Sequence, residues 1–375
     1  MKIDSEWITQ LGETIPQFMN LLRAPDLPGR FYPCVKGLTE SGRKASLGFS
    51  CFALKTYYTL GLWQSLDQVQ KDAWIHFIQS YQLDGEINED VVSYNAFWDP
   101  GMMSYLREQE QKAPFHKKLF MRLMKKGHLS ASQRVTIAET KQALATLIEV
   151  NAHPLRVYRG FPLTTKGAFM HIERMDWSKP WGAGGQTSAL VVFYKTQAPL
   201  LVEEEKSHDL LKVCDDFFAS ILDTHTGTYY KGVLPEHGML INGAMKVLTA
   251  LDWIGTPIHL PQKLIDTCLE KLPRPDGCYL VDAVYVLYRC AQQTTYKRRE
   301  IQEFCEQILT MIRCHYNSDG GFSYWIGRSQ VSYYGVPIAQ GFAESDIHAT
   351  CLLCWALAMI ANLLEYDLDW KIIKP

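Results

Sequence analysis

The sequence predicts an all-α protein, an α/α toroid of about six helix-hairpin repeats. Two observations support this prediction: a glycine-containing turn recurs along the chain, and some helical segments are apolar on every side. Strand patterns are scarce, whereas the 3.6-residue spacing of apolar positions that is typical of helices dominates. Segments with this spacing cover residues 5–22, 45–62, 66–82, 90–108, 133–150, 184–196, 207–222, 237–253, 261–272, 280–293, 298–315 and 345–365.

The recurring turn follows a helix and often carries an aromatic residue shortly after the glycine. A period of about 40–50 residues fits one helix hairpin per repeat. Glycine suits the position after a helix, because a positive φ there strains any residue that has a Cβ. The turn glycines are Gly85, Gly127, Gly184, Gly227, Gly277 and Gly321, whose sequence numbers differ by 42, 57, 43, 50 and 44.

Repeats of this size stack as an open solenoid or close into a ring. Residues 349–360 read ATCLLCWALAMI, and residues 281–290 are almost as apolar. A helix that is apolar on all sides is buried on all sides, as in the inner ring of a toroid, whereas a solenoid helix keeps a solvated stripe. We therefore expect a single toroid domain over residues 45–375, with residues 1–44 wrapping around its outside.

Composition excludes several classes of protein. The hydrophobic fraction is 47% and the formal net charge is −2, so we expect a globular core and no nucleic-acid partner. The N-terminus lacks the apolar segment of a signal peptide, and no run of about 18 apolar residues occurs. We therefore expect a cytoplasmic protein without a transmembrane segment, whose ten cysteines are mostly core residues. The oligomeric state stays open.

Two turns resemble those of a known superfamily. Residues Ile78–Gly85 and His315–Phe322 are similar to the helix followed by Q-x-x-D-G-G-aromatic in terpenoid cyclases and protein prenyltransferases. The resemblance covers most of the chain in rhythm, but the motif appears in only some turns. It implies an α/α-toroid enzyme that acts on an isoprenoid or other lipid-like substrate in an aromatic-lined central cavity. The D-x-D-D and D-D-x-x-D motifs of terpenoid cyclases are absent.

The same resemblance implies a metal site. Asp276–Tyr279 is similar to the D-x-C-Y element of protein prenyltransferases, and Asp346–Thr350 is similar to their D-x-Y-H-T element. Carried over residue by residue, these elements imply zinc on Asp276, Cys278 and His348 with an open fourth position. Both elements also have an explanation without a metal: Ser345 or Asp346 is a natural N-cap, and D-G-C-Y is typical of an ordinary helix-breaking turn.

Polar residues at the starts of the inner helices are the candidate site residues. In a toroid these helices begin at one rim, so their first residues face a ligand in the cavity. We expect the catalytic groups to be Asp346, His348, Asp282 and His237. We expect the substrate-binding groups to be Trp181, Gln186, Tyr324, Tyr334 and Gln340.

Residues 156–181 support a different interpretation, an enzyme that processes acidic polysaccharides as a lyase, hydrolase or epimerase. Arginines there pair with uronate carboxylates, tryptophans stack on sugar rings, and His and Tyr transfer protons. The residues concerned are Arg156, Tyr158, Arg159, His171, Glu173, Arg174, Asp176, Trp177 and Trp181. The glycine-rich residues 182–185 open a helix whose free N–H groups could hold an anion. A non-catalytic helical-repeat scaffold is the third interpretation.

Overall fold

The computed structural model of the chain describes residues 2–87, 89–112 and 129–375, and most of them are helical. The predicted all-α class is confirmed. The helices are α1 (Lys2–Leu22), α2 (Glu40–Lys44), α3 (Leu47–Thr59), α4 (Gln68–Gln79), α5 (Pro100–Lys112), α6 (Ala131–Glu149), α7 (Thr165–Glu173), α8 (Pro180–Thr196), α9 (Glu204–Ser220), α10 (His237–Ile254), α11 (Pro261–Leu269), α12 (Gly277–Ala291), α13 (Arg298–Arg313) and α14 (Ile347–Leu363). Strands β1 (Ser332–Tyr333) and β2 (Val336–Pro337) form a short antiparallel hairpin.

Six helices form a closed inner ring, in the order α3, α6, α8, α10, α12 and α14. Each contacts the next, and α14 contacts α3, which closes the ring. Helices α9, α11 and α13 pack outside this ring, and α1 lies against α14. The predicted toroid of about six repeats is confirmed. The boundary at residue 44 stays a prediction.

Burial follows the composition of each helix. Nearly all of α14 is buried, as expected for a helix that is apolar all round. Outer helix α13 instead buries one apolar face, which includes Ile301, Ile308 and Ile312, and exposes its charged face. None of the helices in the described ranges is both long and apolar enough to span a bilayer.

Glycine has two different roles in the repeats. Gly85, Gly227 and Gly320 have the left-handed conformation expected of turns, with φ of 92°, 71° and 90°. Gly184 is not a turn residue as predicted, because it lies inside α8. A Cβ there would lie only 2.8 Å from the Cβ of Lys246, so this glycine lets α8 and α10 pack closely. The predicted turn at residue 127 and the basic run 117–126 lie outside the described residues.

The inner helices begin at a common rim, which is partly covered by residues 314–346, called here the plug loop. The first turns of α3, α12 and α14 all contact this loop, which connects α13 to α14. The first turns of α6 and α8 line a cavity in the other half of the mouth. The mouth of the ring therefore has a filled half and an open half.

Candidate functional site

The filled half of the mouth is packed with aromatic rings. His348 of α14 stacks on Phe52 of α3 with ring centroids 4.4 Å apart, and Tyr324 and Tyr333 of the plug loop pack on the same imidazole at 5.8 and 5.9 Å. Its Nδ1 lies 2.9 Å from Oε1 of Gln330. Burial, and less strongly the charge of Lys246, lowers the pKa of His348 to about 3. The imidazole is therefore neutral and fixed in place.

The carboxylate of Asp346, a predicted catalytic acid, is hydrogen-bonded to backbone groups. It accepts hydrogen bonds from the backbone N–H groups of Ala349 (2.8 Å), Tyr324 (2.8 Å) and Gln330 (3.0 Å). These bonds cap α14 and anchor the plug loop to it. Burial raises the pKa of Asp346 to about 6, although the three N–H groups oppose the rise. The carboxylate thus holds the loop on the ring.

The predicted zinc site is not assembled. The Asp276 carboxylate caps α12 by accepting a hydrogen bond from the Tyr279 N–H at 3.1 Å. Burial raises the pKa of Cys278 to about 12, which keeps its sulfur a thiol. Throughout the described ranges, no three His, Cys, Asp or Glu side chains converge as metal ligands. The zinc site stays a prediction that these contacts do not support, and the D-G-C-Y sequence forms a helix-capping turn.

The open half of the mouth is a cavity of about 720 Å³ between α6, α7 and α8. Its size is within the range of small-molecule sites. The described residues that line it are Leu129, Ala131, Arg134, Val135, Pro162, Gly167, Met170, His171, Arg174, Met175, Asp176, Lys179, Gly182, Ala183, Gln186 and Tyr334. We call this the rim cavity.

Three cationic side chains, Arg134, Arg174 and Lys179, line the rim cavity and are called here the rim cations. Neither arginine forms an ion pair with a described carboxylate. Lys179 lies 3.3 Å from Asp176, whose carboxylate also accepts a hydrogen bond from the Ser178 hydroxyl at 2.5 Å. Positive charge therefore exceeds negative charge among the described lining residues.

Uncharged groups of the rim cavity could exchange protons and hydrogen bonds with a ligand. Burial, and less strongly Arg174, lowers the pKa of the half-buried His171, which keeps it neutral at pH 7. The Oε1 atom of Gln186 is buried and has no hydrogen-bond partner in the part of the chain that the structure describes. Tyr334, at the tip of the plug-loop hairpin, is 48% exposed and has a positive φ of 48°. Such strained non-glycine residues are concentrated at functional sites.

The structure brings together only part of the predicted site. The rim cavity collects Gln186 and Tyr334 with His171, Arg174 and Asp176 of the polysaccharide hypothesis. Trp181 and Gln340 are not among its described lining residues, and Tyr324 belongs to the filled half. The Nε2 atom of His237 lies 2.8 Å from the carbonyl oxygen of Thr267, at a separate small pocket beside α11.

Other members of the 156–181 segment have structural roles. Trp177 is buried against Phe217, and Tyr158 is fully buried, so neither ring is available to stack on a sugar. Arg156 pairs with Asp84, and the guanidinium of Arg159 lies over the ring of Tyr94. Glu173 lies 4.0 Å from Lys231. Arg134 was missed, since on sequence alone it is one exposed residue of an ordinary helix.

Two buried acids lie inside the ring. Asp282 of α12 is 2% exposed, its Oδ2 has no hydrogen-bond partner among the described residues, and burial raises its pKa to about 7. Glu139 of α6, which the sequence analysis missed, is fully buried beside the Tyr333 hydroxyl and Gly48. Burial, with a smaller effect of Asp99, raises the pKa of Glu139 to about 8. Both carboxyl groups are therefore substantially protonated near neutral pH.

Similarity to known proteins is found among solved structures. No protein-family model matches the sequence, and no curated protein matches it at a significant level. Among solved structures, the chain is similar to the GH76A α-1,6-mannanase from Salegentibacter sp. HEL1_6, with a TM-score of 0.46 and 12% identity. The match covers 96% of this chain and 99% of the mannanase chain.

The prediction of an enzyme for isoprenoid or other lipid-like substrates is wrong. The structural neighbour given above is named as a mannanase. The rim cavity also lacks the aromatic lining that the resemblance implied. Tyr334 is the only aromatic ring among its described lining residues other than the imidazole of His171.

Proposed function

We propose that the rim cavity binds an anionic carbohydrate, a saccharide that contains uronate residues, and cleaves it by elimination. The observation that supports this most is the excess of positive charge around His171. Among the described lining residues, three rim cations face one carboxylate, that of Asp176. An arginine binds a carboxylate through two parallel hydrogen bonds, which gives both affinity and orientation. Gln186, with its unpartnered Oε1, would accept a hydrogen bond from a sugar hydroxyl.

The chemistry of elimination suits the groups in the rim cavity. The reaction begins when a base removes the proton from the sugar carbon next to the carboxylate. The neutral imidazole of His171 can accept that proton. A cation paired with the carboxylate stabilises the negative charge that develops there. The bond from the neighbouring carbon to the leaving sugar's oxygen then breaks as a carbon–carbon double bond forms, and that oxygen takes a proton from Tyr334 or water.

Elimination is favoured over hydrolysis by the number of carboxylates in the rim cavity. Glycoside hydrolysis normally uses two, one as acid and one as nucleophile or base. Asp176 is the only carboxylate among the described lining residues. The hydrogen bond from Ser178 lowers its pKa, so this group stays ionised and is poorly suited to donating a proton. Elimination needs neither a second carboxylate nor a protonated one.

The test is a panel of uronate-containing and neutral oligosaccharides with two readouts, the ultraviolet absorbance of an unsaturated product and the release of reducing ends. We expect activity on the uronates only, with both signals rising together. Reducing ends without the unsaturated product would replace elimination by hydrolysis. Binding of neutral sugars in preference to uronates would contradict the assignment of the cavity.

Variants of the rim cavity locate the activity. The Arg174→Ala variant lacks the guanidinium. We expect its kcat/KM on uronates to be roughly 10- to 100-fold lower, because one charge-assisted pair with the substrate is lost. His171→Ala, which removes the base, is expected to lower kcat about 100-fold or more. Arg299→Ala is the matched control, since Arg299 is an exposed arginine on α13 that pairs with Glu303. An equal loss in this control would show that the effect is not specific to the cavity.

A further inference from the structure

The tip of the plug-loop hairpin holds two tyrosine rings together at the rim cavity. Successive residues of a strand place their side chains on opposite faces. Tyr334 departs from this rule, since it has a positive φ of 48° and its ring lies against that of Tyr333, with centroids 4.5 Å apart. Gly335, which follows, has a φ of 83°. A two-residue turn with positive φ at both positions strongly favours Asn, Asp or Gly at the first. The turn itself therefore does not explain a tyrosine at position 334.

The two rings have different surroundings. Tyr334 lines the rim cavity and is 48% exposed, whereas Tyr333 is 7% exposed. The ring of Tyr333 packs between two inner helices, with its centroid 5.4 Å from that of Phe49 on α3 and 5.9 Å from that of His348 on α14. The pair of hydroxyl-bearing rings therefore reaches from the cavity to the interior of the ring.

The buried acid Glu139 lies at the inner end of this pair. It follows Val135, a lining residue of the rim cavity, by four residues, so the two are on one face of α6 and Glu139 is one turn deeper. A Cβ at Gly48 would lie 3.0 Å from Oε1 of Glu139 and 3.1 Å from the hydroxyl oxygen of Tyr333. Both oxygens therefore border one small space, which the glycine leaves free. Neither oxygen of Glu139 has a hydrogen-bond partner among the described residues.

We propose that Glu139, Tyr333 and Tyr334 form a relay that delivers a proton from the interior of the ring to a ligand in the rim cavity. The relay rests on the proposed elimination, in which the oxygen of the leaving sugar needs a proton. Tyr334 gives its hydroxyl proton to that oxygen, Tyr333 gives its proton to the oxygen of Tyr334, and Glu139 gives its proton to the oxygen of Tyr333. Tyr334 is the catalytic residue, and the other two act through it.

The protons balance over a complete cycle. After the leaving sugar has taken its proton, Glu139 is a carboxylate and both tyrosines are neutral. Once the product has left, a proton from water in the rim cavity returns to Glu139 through the same two hydroxyl groups. His171 meanwhile releases to solvent the proton that it took from the sugar carbon. The cycle therefore needs no reactant besides the saccharide and water.

The acid strengths favour this direction of transfer. Burial, and less strongly the charge of Asp99, raises the pKa of Glu139 to about 8, so this carboxyl group holds its proton at pH 7. Burial raises the pKa of Tyr333 well above the usual value of a phenol, which is about 10. A phenolate in the relay is therefore a stronger base than the carboxylate, and the negative charge ends on Glu139. Catalytic hydrogen bonds are often long without substrate and shorten when it binds.

Other titratable groups face the relay without changing charge near pH 8. They are Cys51 of α3, Tyr81 after α4, Asp99 before α5, Cys278 of α12 and His348 of α14. Burial raises the pKa of both thiols and of Tyr81 to about 12 and lowers that of His348 to about 3. Burial also raises the pKa of Asp99, but backbone N–H groups bonded to its carboxylate oppose the rise. Burial lowers the pKa of His171, the proposed base. Within this set, Glu139 is expected to lose its proton near pH 8.

The test is the pH profile of kcat, from pH 6 to pH 10, on the uronate that the protein cleaves fastest. The relay needs Glu139 protonated, so we expect wild-type kcat to fall as the pH rises through about 8. Glu139→Gln and Tyr333→Phe should each lower kcat at pH 7 roughly 10-fold, with little change in KM, and should abolish the fall near pH 8. The double variant should be no slower than either single variant, because residues that act as a unit are not additive.

Two further variants control for effects on folding. Glu149→Gln changes a half-buried carboxyl group at the end of α6, outside the described lining of the rim cavity, and should keep the wild-type profile. Tyr334→Asn removes the phenol but introduces a residue that suits the turn. We expect its kcat to fall about 100-fold while its Tm stays at or above that of wild type. Wild-type kcat in Tyr334→Asn, or an unchanged fall near pH 8 in Glu139→Gln, would overturn the relay and leave the uronate activity in place.

A measurement without substrate keeps the relay separate from the proposed function. Infrared difference spectra between pH 6 and pH 10 contain the carbonyl band of protonated Glu139, which is identified by its absence in Glu139→Gln. Tyr333→Phe should move this band to higher frequency, because the carboxyl group loses the hydroxyl beside it. A shifted band in a protein that cleaves no uronate would reject the elimination and support the proton path. An unshifted band would overturn the relay whether or not the protein is active.

Discussion

The two halves of the ring mouth differ in whether their charged side chains are bonded to other groups of the protein. In the filled half, the carboxylates of Asp99, Glu344 and Asp346 each accept hydrogen bonds from two or more backbone N–H groups. In the open half, the guanidinium groups of Arg134 and Arg174 have no carboxylate partner among the described residues. Charge in the filled half is satisfied by the protein itself, whereas charge in the open half remains available to a ligand. The difference separates structural residues from candidate functional ones.

The largest expected effect is on stability in the filled half. Asp346→Ala leaves the N–H groups of Ala349, Tyr324 and Gln330 without their acceptor. Because each buried unsatisfied donor costs about 1–3 kcal/mol, we expect a loss of roughly 3–5 kcal/mol in the free energy of unfolding. Urea denaturation measures it. Asp346→Asn keeps one acceptor oxygen and should lose less. A folded, fully stable Asp346→Ala protein without activity would instead return Asp346 to a catalytic role.

A slightly smaller effect concerns pH and the buried acid Glu139. Its pKa is raised from 4.5 to about 8, so its protonated form is favoured in the folded state. The stability that this preference contributes is fully present below pH 4.5 and is lost as the pH rises through 8. As the pH rises from 5 to 9, we expect the free energy of unfolding of Glu139→Gln to increase by roughly 3 kcal/mol relative to that of wild type. Denaturation at both pH values tests this, and parallel curves for the two proteins would contradict it.

The sequence was sufficient to predict the ring and some of its caps. The apolar composition of α14 identifies a helix buried on all sides, and Asp346 before it is where an N-cap was expected. Capping, the alternative explanation offered for Asp346, is the contact this residue makes in the structure, and Asp276, expected in a helix-breaking turn, caps α12. Local chemistry determines these features, so local sequence is enough to find them.

The rim cavity and the ring interior could not be predicted in the same way. Arg134 of α6 and Arg174, the residue that follows α7, are forty residues apart and line one cavity only because the ring brings these segments together. The polar residues 139–142 of α6 look like an ordinary solvated face, yet Glu139 is buried inside the toroid and Lys141 is half-buried there. Inner helices of a ring have a polar side that faces the interior, and its spacing is identical to that of a side facing bulk solvent.

An intermediate effect is expected where α8 and α10 touch, beside the open half. A Cβ at Gly243 would lie 2.6 Å from the Cβ of Pro180, closer than real contacts allow. Gly243→Ala should therefore force the two helices apart and lower the free energy of unfolding by about 2 kcal/mol. Thermal denaturation measures the loss. Gly185→Ala is the control, since nothing lies within 4 Å of a Cβ there, and it should be neutral or slightly stabilising.

The smallest change in stability is expected in the open half, and it tests most directly the difference between the two halves of the ring mouth. Arg174 is exposed and pairs with no carboxylate in the described ranges, so its removal leaves no buried group there unsatisfied. We expect Arg174→Ala to change the free energy of unfolding by less than about 0.5 kcal/mol. If the rim cations serve a ligand, the same variant should still lose most of its affinity for uronate oligosaccharides. Titration calorimetry and urea denaturation on one preparation give both quantities. A variant that loses stability but keeps its affinity would reverse the division between the two halves, because Arg174 would then hold the fold together as Asp346 does.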